Sequence, residues 1–194
     1  MHAWLCDNPI GVEALRWKEL PTPTPAANEV LIRIEAASLN FPDVLIVQNK
    51  YQMKPALPFV PGSEYAGRIE AVGKDVADLK IGQAVACLSG TGGFGTHTVA
   101  PAHLCLPLPS EFDPVDAAAF IMIYATSWHA LMDRAQLKAG ETVLVLEKIQ
   151  EGTDMDELDE LADDKEWCPD WEKHRDQAIN NGIADYGMEL DASI

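Results

Sequence analysis

The stretch EVLIRIEAASLNFPDVLI, residues 29–46, changes period halfway through, and that change decides how the chain is read. In its first half Ile32 and Ile34 alternate with Arg33 and Glu35, so Val30–Ala36 reads as a half-buried strand. In its second half Pro42 falls where a first-turn proline is harmless, because the N–H it lacks would have no partner there. The DVLIVQN run can then wind as a helix up to Asn49, a residue that tolerates the left-handed conformation closing a helix. A strand feeding a short helix through Leu39-Asn40 is the unit around which the rest is arranged.

The same strand language surrounds this unit. Twelve of the 13 prolines lie before residue 115, and between them run short Val-, Ile- and Thr-rich segments. Glu64–Val72 is opened by Pro-Gly and closed by Gly73; Gln83–Leu88 and Phe94–Ala100 read as two more strands. Many short strands at close spacing predict an antiparallel barrel or sandwich. Asp113-Pro114 then supplies an N-cap and a first-turn proline, and apolar residues from Ala117 to Leu131 recur at helical spacing until Gly140, which predicts one long helix. Glu141–Leu146 is a short apolar run, the pattern of a strand buried on both faces of a parallel sheet.

After Leu146 the composition shifts. The 194 residues carry a formal net charge of −17, but residues up to Leu146 hold 15 acidic and 10 basic side chains, whereas Glu147–Ile194 holds 16 and 4. Acidic helical periodicity replaces β character, with Met155, Leu158 and Leu161 as one thin apolar edge and Trp167, Trp171 and His174 as another. No basic cluster exists to neutralise phosphates, which argues against nucleic acid and against an anionic membrane surface. No apolar run is long enough to span a bilayer, and the start, MHAWLCDNP, has no signal-peptide pattern, so the expected location is the cytoplasm. Cys6, Cys87, Cys105 and Cys168 are widely spaced, the pattern of reduced thiols. The DMDELDELADD run lacks the glycine and the spacing of a calcium loop and reads as a solvated face.

The first 146 positions resemble the zinc-independent branch of the medium-chain dehydrogenases/reductases, the branch of the NADPH:quinone oxidoreductases. The matching stretches are residues 29–46, LPFVPGSEYAGRIEAVG (57–73), LKIGQAVACL (79–88), GGFGTHTVAP (92–101), YATSWHAL (124–131) and LKAGETVLVL (137–146), in unbroken order. The resemblance implies a mainly β fold with helices, a GroES-like, partly open β-barrel over residues 1–112. An interdomain helix and the first strand of a Rossmann domain are then expected over 113–146, and an acidic, helical extension of unrecognised origin over 147–194. It also implies hydride transfer from NADPH to a quinone or an α,β-unsaturated carbonyl. Carried over residue by residue, Asn40 and Thr126 match positions that approach the nicotinamide, and Tyr51 matches a tyrosine lining the substrate pocket. Asp43 would fix the active-site turn. No metal is expected, since Ser63 and Leu39-Asn40 stand where zinc-dependent relatives place a histidine and a cysteine. Read without the family, Asn40 and Asp43 are an ordinary helix start, Tyr51 is a half-buried packing tyrosine, and Thr126 is a helix-interior threonine.

The pattern of relatives stops at Leu146. A glycine-rich turn is due there to let the backbone close on a pyrophosphate, yet Glu147 and Glu151 occupy that stretch. Two readings follow. One is a truncated or rearranged quinone or enone reductase whose binding of NADPH the missing loop puts in question. The other is a non-enzymatic GroES-like binding or self-associating module with an acidic tail that recruits a protein partner.

Overall fold

The computed structural model describes residues 1–109 and 111–143. The chain divides into two compact units, Met1–Gln136 and Leu137–Ile194. Of the second, the described residues form a tight turn in which Lys138 N donates to Glu141 Oε2 at 2.7 Å and Gly140 takes φ 89°. Residues 141–143 have no strand geometry, and the rest of the expected 141–146 strand and the whole acidic extension lie outside the described residues.

The first unit opens with a hairpin of β1 (His2–Leu5) and β2 (Arg16–Glu19), paired antiparallel with Trp4 opposite Trp17. The principal sheet follows from β3 (Glu29–Ala37), β4 (Glu64–Val72), β5 (Ala84–Leu88), β6 (His97–Pro101) and β7 (Cys105–Pro107). Their order is β6-β3-β4-β5-β7, antiparallel throughout. The ladder of β1 continues onto the segment before β6, where Trp4 N donates to Phe94 O at 2.9 Å and Thr96 N to His2 O at 2.8 Å. The sheet curls without closing, the mainly β, partly open architecture that the resemblance implies.

Strand periodicity explains the core. One face of the sheet buries Val30, Ile32, Tyr65, Ile69, Val85, Cys87 and Ala100 completely or almost so, each large side chain contributing about 1.5–3 kcal/mol by leaving water. Gly67 sits in the middle of β4, where a Cβ would lie 2.1 Å from the carbonyl of Arg33. Only glycine lets β3 and β4 approach there, beside the register shift between Ile34 and Ala36. On the far side of Gly67, Arg33, Glu35, Arg68, Glu70 and His97 form an exposed charge network with contacts of 2.7–3.4 Å. Arg68 thus pairs with Glu35.

Helix α1 (Phe41–Val47) has the proline in its first turn, and Asn49 beyond its end takes φ 57°, as the sequence predicts. Helix α2 (Pro114–Ala118) begins where expected, with Asp113 Oδ1 accepting from Val115 N at 2.8 Å. Its Ala117 and Ala118 pack on Ala66 and Ala86, which face each other across β4 and β5, so small residues on both sides let the helix lie close to the sheet.

The single long helix predicted after Asp113 is not formed. The backbone leaves the helix at Ala119 (φ −111°, ψ 10°) and restarts as α3 (Ile121–Trp128), followed by a π-helical turn, His129–Arg134. A restart exposes unpaired N–H groups, and the sequence periodicity carries no trace of the side chain that satisfies one of them: Met122 N donates to Glu64 Oε1 at 2.9 Å. The apolar stripe read at helical spacing is turned outward within this unit, with Tyr124 59% and Trp128 64% exposed. Among the described residues no helix is long and apolar enough to cross a membrane.

Candidate functional site

The turn between β3 and α1 is built on two buried carboxylates. Asp43 accepts from Asn40 N at 2.9 Å, closing a capping box over the helix start, and from Ser63 N at 2.9 Å and Ser63 Oγ. Glu64 is wholly buried and accepts from Ser38 Oγ at 2.8 Å, Asn40 Nδ2 at 3.3 Å and Met122 N at 2.9 Å. Every one of these partners is a donor. Buried carboxylates held this way are stabilised by charge-assisted hydrogen bonds, each contributing about 1.5–3 kcal/mol. Asp43 therefore ties α1 to the head of β4, and Glu64 ties that same point to the Asn40 turn and to α3.

The head of β4 needs its glycine. Gly62 has φ 100°, and a Cβ there would sit 2.7 Å from Phe94 N, whose own hydrogen goes to Pro61 O at 2.8 Å. This close approach brings the Phe94–Thr96 segment beside the Asn40 turn.

A cavity of about 720 Å³ opens at that place. Its walls are Trp4 and Trp17 from the hairpin, Ile34 from β3, Val44 and Val47 from α1, and Phe94, with Asn40 at the turn. Trp4 and Trp17 stand 5.5 Å apart with their rings tilted by 59°. Flat aromatic walls with a single amide suit an apolar, planar ligand. The charged side chains on the lining are Glu35 and Asp43, and Lys and Arg are absent from it. Such a cavity does not fit the pyrophosphate of a dinucleotide, which needs cationic donors or an open helix N-terminus: the terminus of α1 on this lining is already occupied by the Asp43 carboxylate.

The three residues singled out by the sequence are placed differently. Asn40 lines the cavity, but its amide nitrogen already donates to Ser38 Oγ at 2.8 Å and to Glu64. It shapes the turn; its N–H groups are committed within the protein. Tyr51 follows α1, is half-buried, and does not belong to the lining of this cavity. Thr126 is exposed on α3 and lies outside it as well. What links Thr126 to Asn40 is Glu64, whose two oxygens hold the Asn40 turn and the first turn of α3. Sequence reading missed Glu64 as the centre of this arrangement, along with Ser38, Ser63 and the two tryptophans. The available signal was a carboxylate opening a stretch without another charge, Glu64-Tyr-Ala-Gly67, where burial demands partners.

Among the described residues no group of three or more His, Cys, Asp and Glu side chains converges as a metal site would. A separate cluster carries shifted groups: the Cys105 thiol is pushed up by its contact with Cys87, and burial pushes the Tyr65 hydroxyl up.

Residues 26–110 match the alcohol dehydrogenase GroES-like domain. Over 137 residues the chain is 39% identical to a quinone oxidoreductase of Lama guanicoe, covering 70% of this chain and 42% of that relative. The fold is similar to the quinone oxidoreductase of Thermus thermophilus, whose structure was also solved in complex with NADPH. That likeness has a TM-score of 0.62 at 34% identity, over 75% of this chain and 44% of that one. A human synaptic vesicle membrane protein VAT-1 homolog-like protein gives a TM-score of 0.69 at 30% identity, over 72% and 45%. The chain thus spans less than half the length of these relatives.

Proposed function

We propose, starting from residues 26–110 as a member of the alcohol dehydrogenase GroES-like domain family, that this chain supplies the substrate side of a quinone or enone reductase. The observation that carries the reading is the Asn40 turn, locked by Asp43 and Glu64 at the rim of an apolar, tryptophan-walled cavity. The ligand is a flat carbonyl compound of the quinone or α,β-unsaturated class, held by aromatic and aliphatic contact. Asn40 fixes the rim as a positioning residue, and Tyr51 and Thr126 belong to the reacting surface around it. The reaction class is reduction by NADPH. Because the cavity does not fit a dinucleotide, what is derived for its residues is substrate binding and orientation, with no step through the cofactor.

Trp4 and Trp17 make the test direct. Titrating a naphthoquinone into the full chain should quench tryptophan fluorescence saturably, and Val44→Trp, which fills the cavity, should weaken that binding at least about tenfold, or about 1.4 kcal/mol. Unsaturable quenching, or quenching untouched by Val44→Trp, would overturn the assignment of the cavity. A parallel titration follows NADPH fluorescence. Binding in the micromolar range typical of enzymes, weakened in Asn40→Ala or Thr126→Ala, supports the reductase. Quinone binding with no cofactor binding at millimolar NADPH would overturn the reductase in favour of a binding module.

A further inference from the structure

Cys87 and Cys105 are not used by the turn or the cavity, yet they form a pair set by the sheet itself. They lie opposite each other on β5 and β7. Leu108 N donates to Ala84 O at 2.9 Å, which makes Ala84 and Leu108 a hydrogen-bonded pair. Counting along the ladder, Val85–Pro107 is then non-hydrogen-bonded, in keeping with the N–H that proline lacks, and Ala86–Leu106 is hydrogen-bonded. Cys87–Cys105 is therefore a non-hydrogen-bonded pair, the kind whose Cα atoms stand about 4.5 Å apart with side chains turned toward each other. That separation falls within the range of about 4.4–6.8 Å that a disulfide spans. Both thiols point into one cluster, Cys87 fully buried and Cys105 6% exposed, beside Tyr65, which is paired with Cys87 from the other side.

The surroundings give the two sulfurs unequal character. Cys105, whose Sγ donates to Pro101 O at 3.6 Å, lies against Cys87, as do the Tyr65 and Ser89 hydroxyls; these contacts hold the Cys87 thiol below the usual range, while the contact with Cys87 and burial hold Cys105 above it. Tyr65 Oη and Ser89 Oγ are 3.0 Å apart. Of the two, Cys87 loses its proton the more readily and Cys105 keeps its own.

We infer that Cys87 and Cys105 form a redox-active dithiol that a small hydroperoxide converts into a cross-strand disulfide between β5 and β7. The Cys87 thiolate attacks one peroxide oxygen, the O–O bond breaks, and the leaving oxygen takes a proton to depart as water (from hydrogen peroxide) or an alcohol. Cys87 becomes a sulfenic acid. The Cys105 sulfur then attacks the Cys87 sulfur, the S–O bond breaks, and the proton of Cys105 leaves with that oxygen as water. Two thiols lose two electrons in all, and the peroxide gains them.

The test treats the full chain with hydrogen peroxide, blocks remaining thiols after denaturation and maps the peptides by mass spectrometry. The expected product joins the Cys87 and Cys105 peptides, lighter by two hydrogens than the reduced pair, with two of the four thiols lost and both recovered by dithiothreitol. In Cys105→Ser, or in Cys105→Ala where serine disturbs the core, dimedone should trap Cys87 as the sulfenic acid. In Cys87→Ser, Cys105 should stay a thiol. Linkage of Cys87 to Cys6 or Cys168 instead would overturn the inference, and so would both thiols surviving an exposure that fully oxidises glutathione in the same solution.

Discussion

The Asn40 turn and the α3 helix are neighbours held by one carboxylate, and they are built on opposite terms. In the turn, polar atoms are withdrawn from water and paired with one another: Asp43 and Glu64 are 4% and 0% exposed, and six donors converge on them. In α3 the apolar side chains face outward within their unit, with Phe120 and Tyr124 stacked at 4.4 Å and Trp128 beyond them. Polar groups inside and aromatic groups outside invert the usual arrangement in both places. The contrast separates two ways of making a functional surface. Each member of the turn is held because moving it leaves a buried polar group without its partner, whereas α3 depends on a cap at its first turn for its placement.

Glu64 is where the two regions can be broken together. Glu64→Ala leaves Ser38 Oγ, Asn40 Nδ2 and Met122 N without their acceptor, and a buried network that loses its charged centre typically costs about 3–5 kcal/mol. Urea denaturation should show an unfolding free energy lower by that amount, with quinone binding lost in the same variant. Glu64→Gln keeps the volume and one acceptor oxygen, so it should recover part of the stability. Equal losses in the two variants would mean that packing, not hydrogen bonding, holds the turn to α3.

Asp43→Asn breaks the turn alone. One carboxylate oxygen serves Ser63 and the other serves Asn40 N, so an amide must set its NH₂ against one of those donors, at a cost of about 2 kcal/mol. The cavity should then bind naphthoquinone more weakly while the near-ultraviolet signal of the α3 aromatics is unchanged. A change in that signal would show that the two regions are coupled through more than Glu64.

How much of this was readable from the sequence follows the same division. Local rules hold wherever the deciding atoms are close in sequence: the β3 alternation, the proline in the first turn of α1, the left-handed Asn49 and the Asp113 cap all form as their spacing predicts. Asn40 and Asp43 belong to this group, since the capping box is a local motif. The break between α2 and α3 was hidden because the acceptor that caps the restart, Glu64, lies 58 residues from Met122. The cavity walls were hidden too, because β1, β2 and the Phe94 segment meet only through long-range pairing. Periodicity reports which face of an element is apolar, not what that face meets, and α3 is the case in which this distinction decides the outcome.

Asp113→Ala tests the region beyond the turn by itself. Removing the N-cap that accepts from Val115 N should cost about 1 kcal/mol. Because Ala117 and Ala118 anchor α2 on Ala66 and Ala86, the loss should appear as a small shift in urea midpoint with quinone binding retained. If binding falls as well, α2 contributes to the cavity through the sheet beneath it.

The smallest effect on stability is the most informative about function. Thr126 is exposed on α3, so Thr126→Ala should move the stability by no more than about 0.5 kcal/mol. Its threonine hydroxyl has no structural duty large enough to confuse the result, unlike Glu64 or Asp43. Any loss of NADPH binding in Thr126→Ala can then be assigned to the hydroxyl itself, which makes α3 a working surface whose exposure has a purpose. Unchanged cofactor binding, with naphthoquinone binding also intact, would confine function to the locked turn and its cavity. Thr126→Ser separates hydroxyl from methyl: recovery by serine requires a hydrogen bond, and failure to recover requires the methyl group's packing.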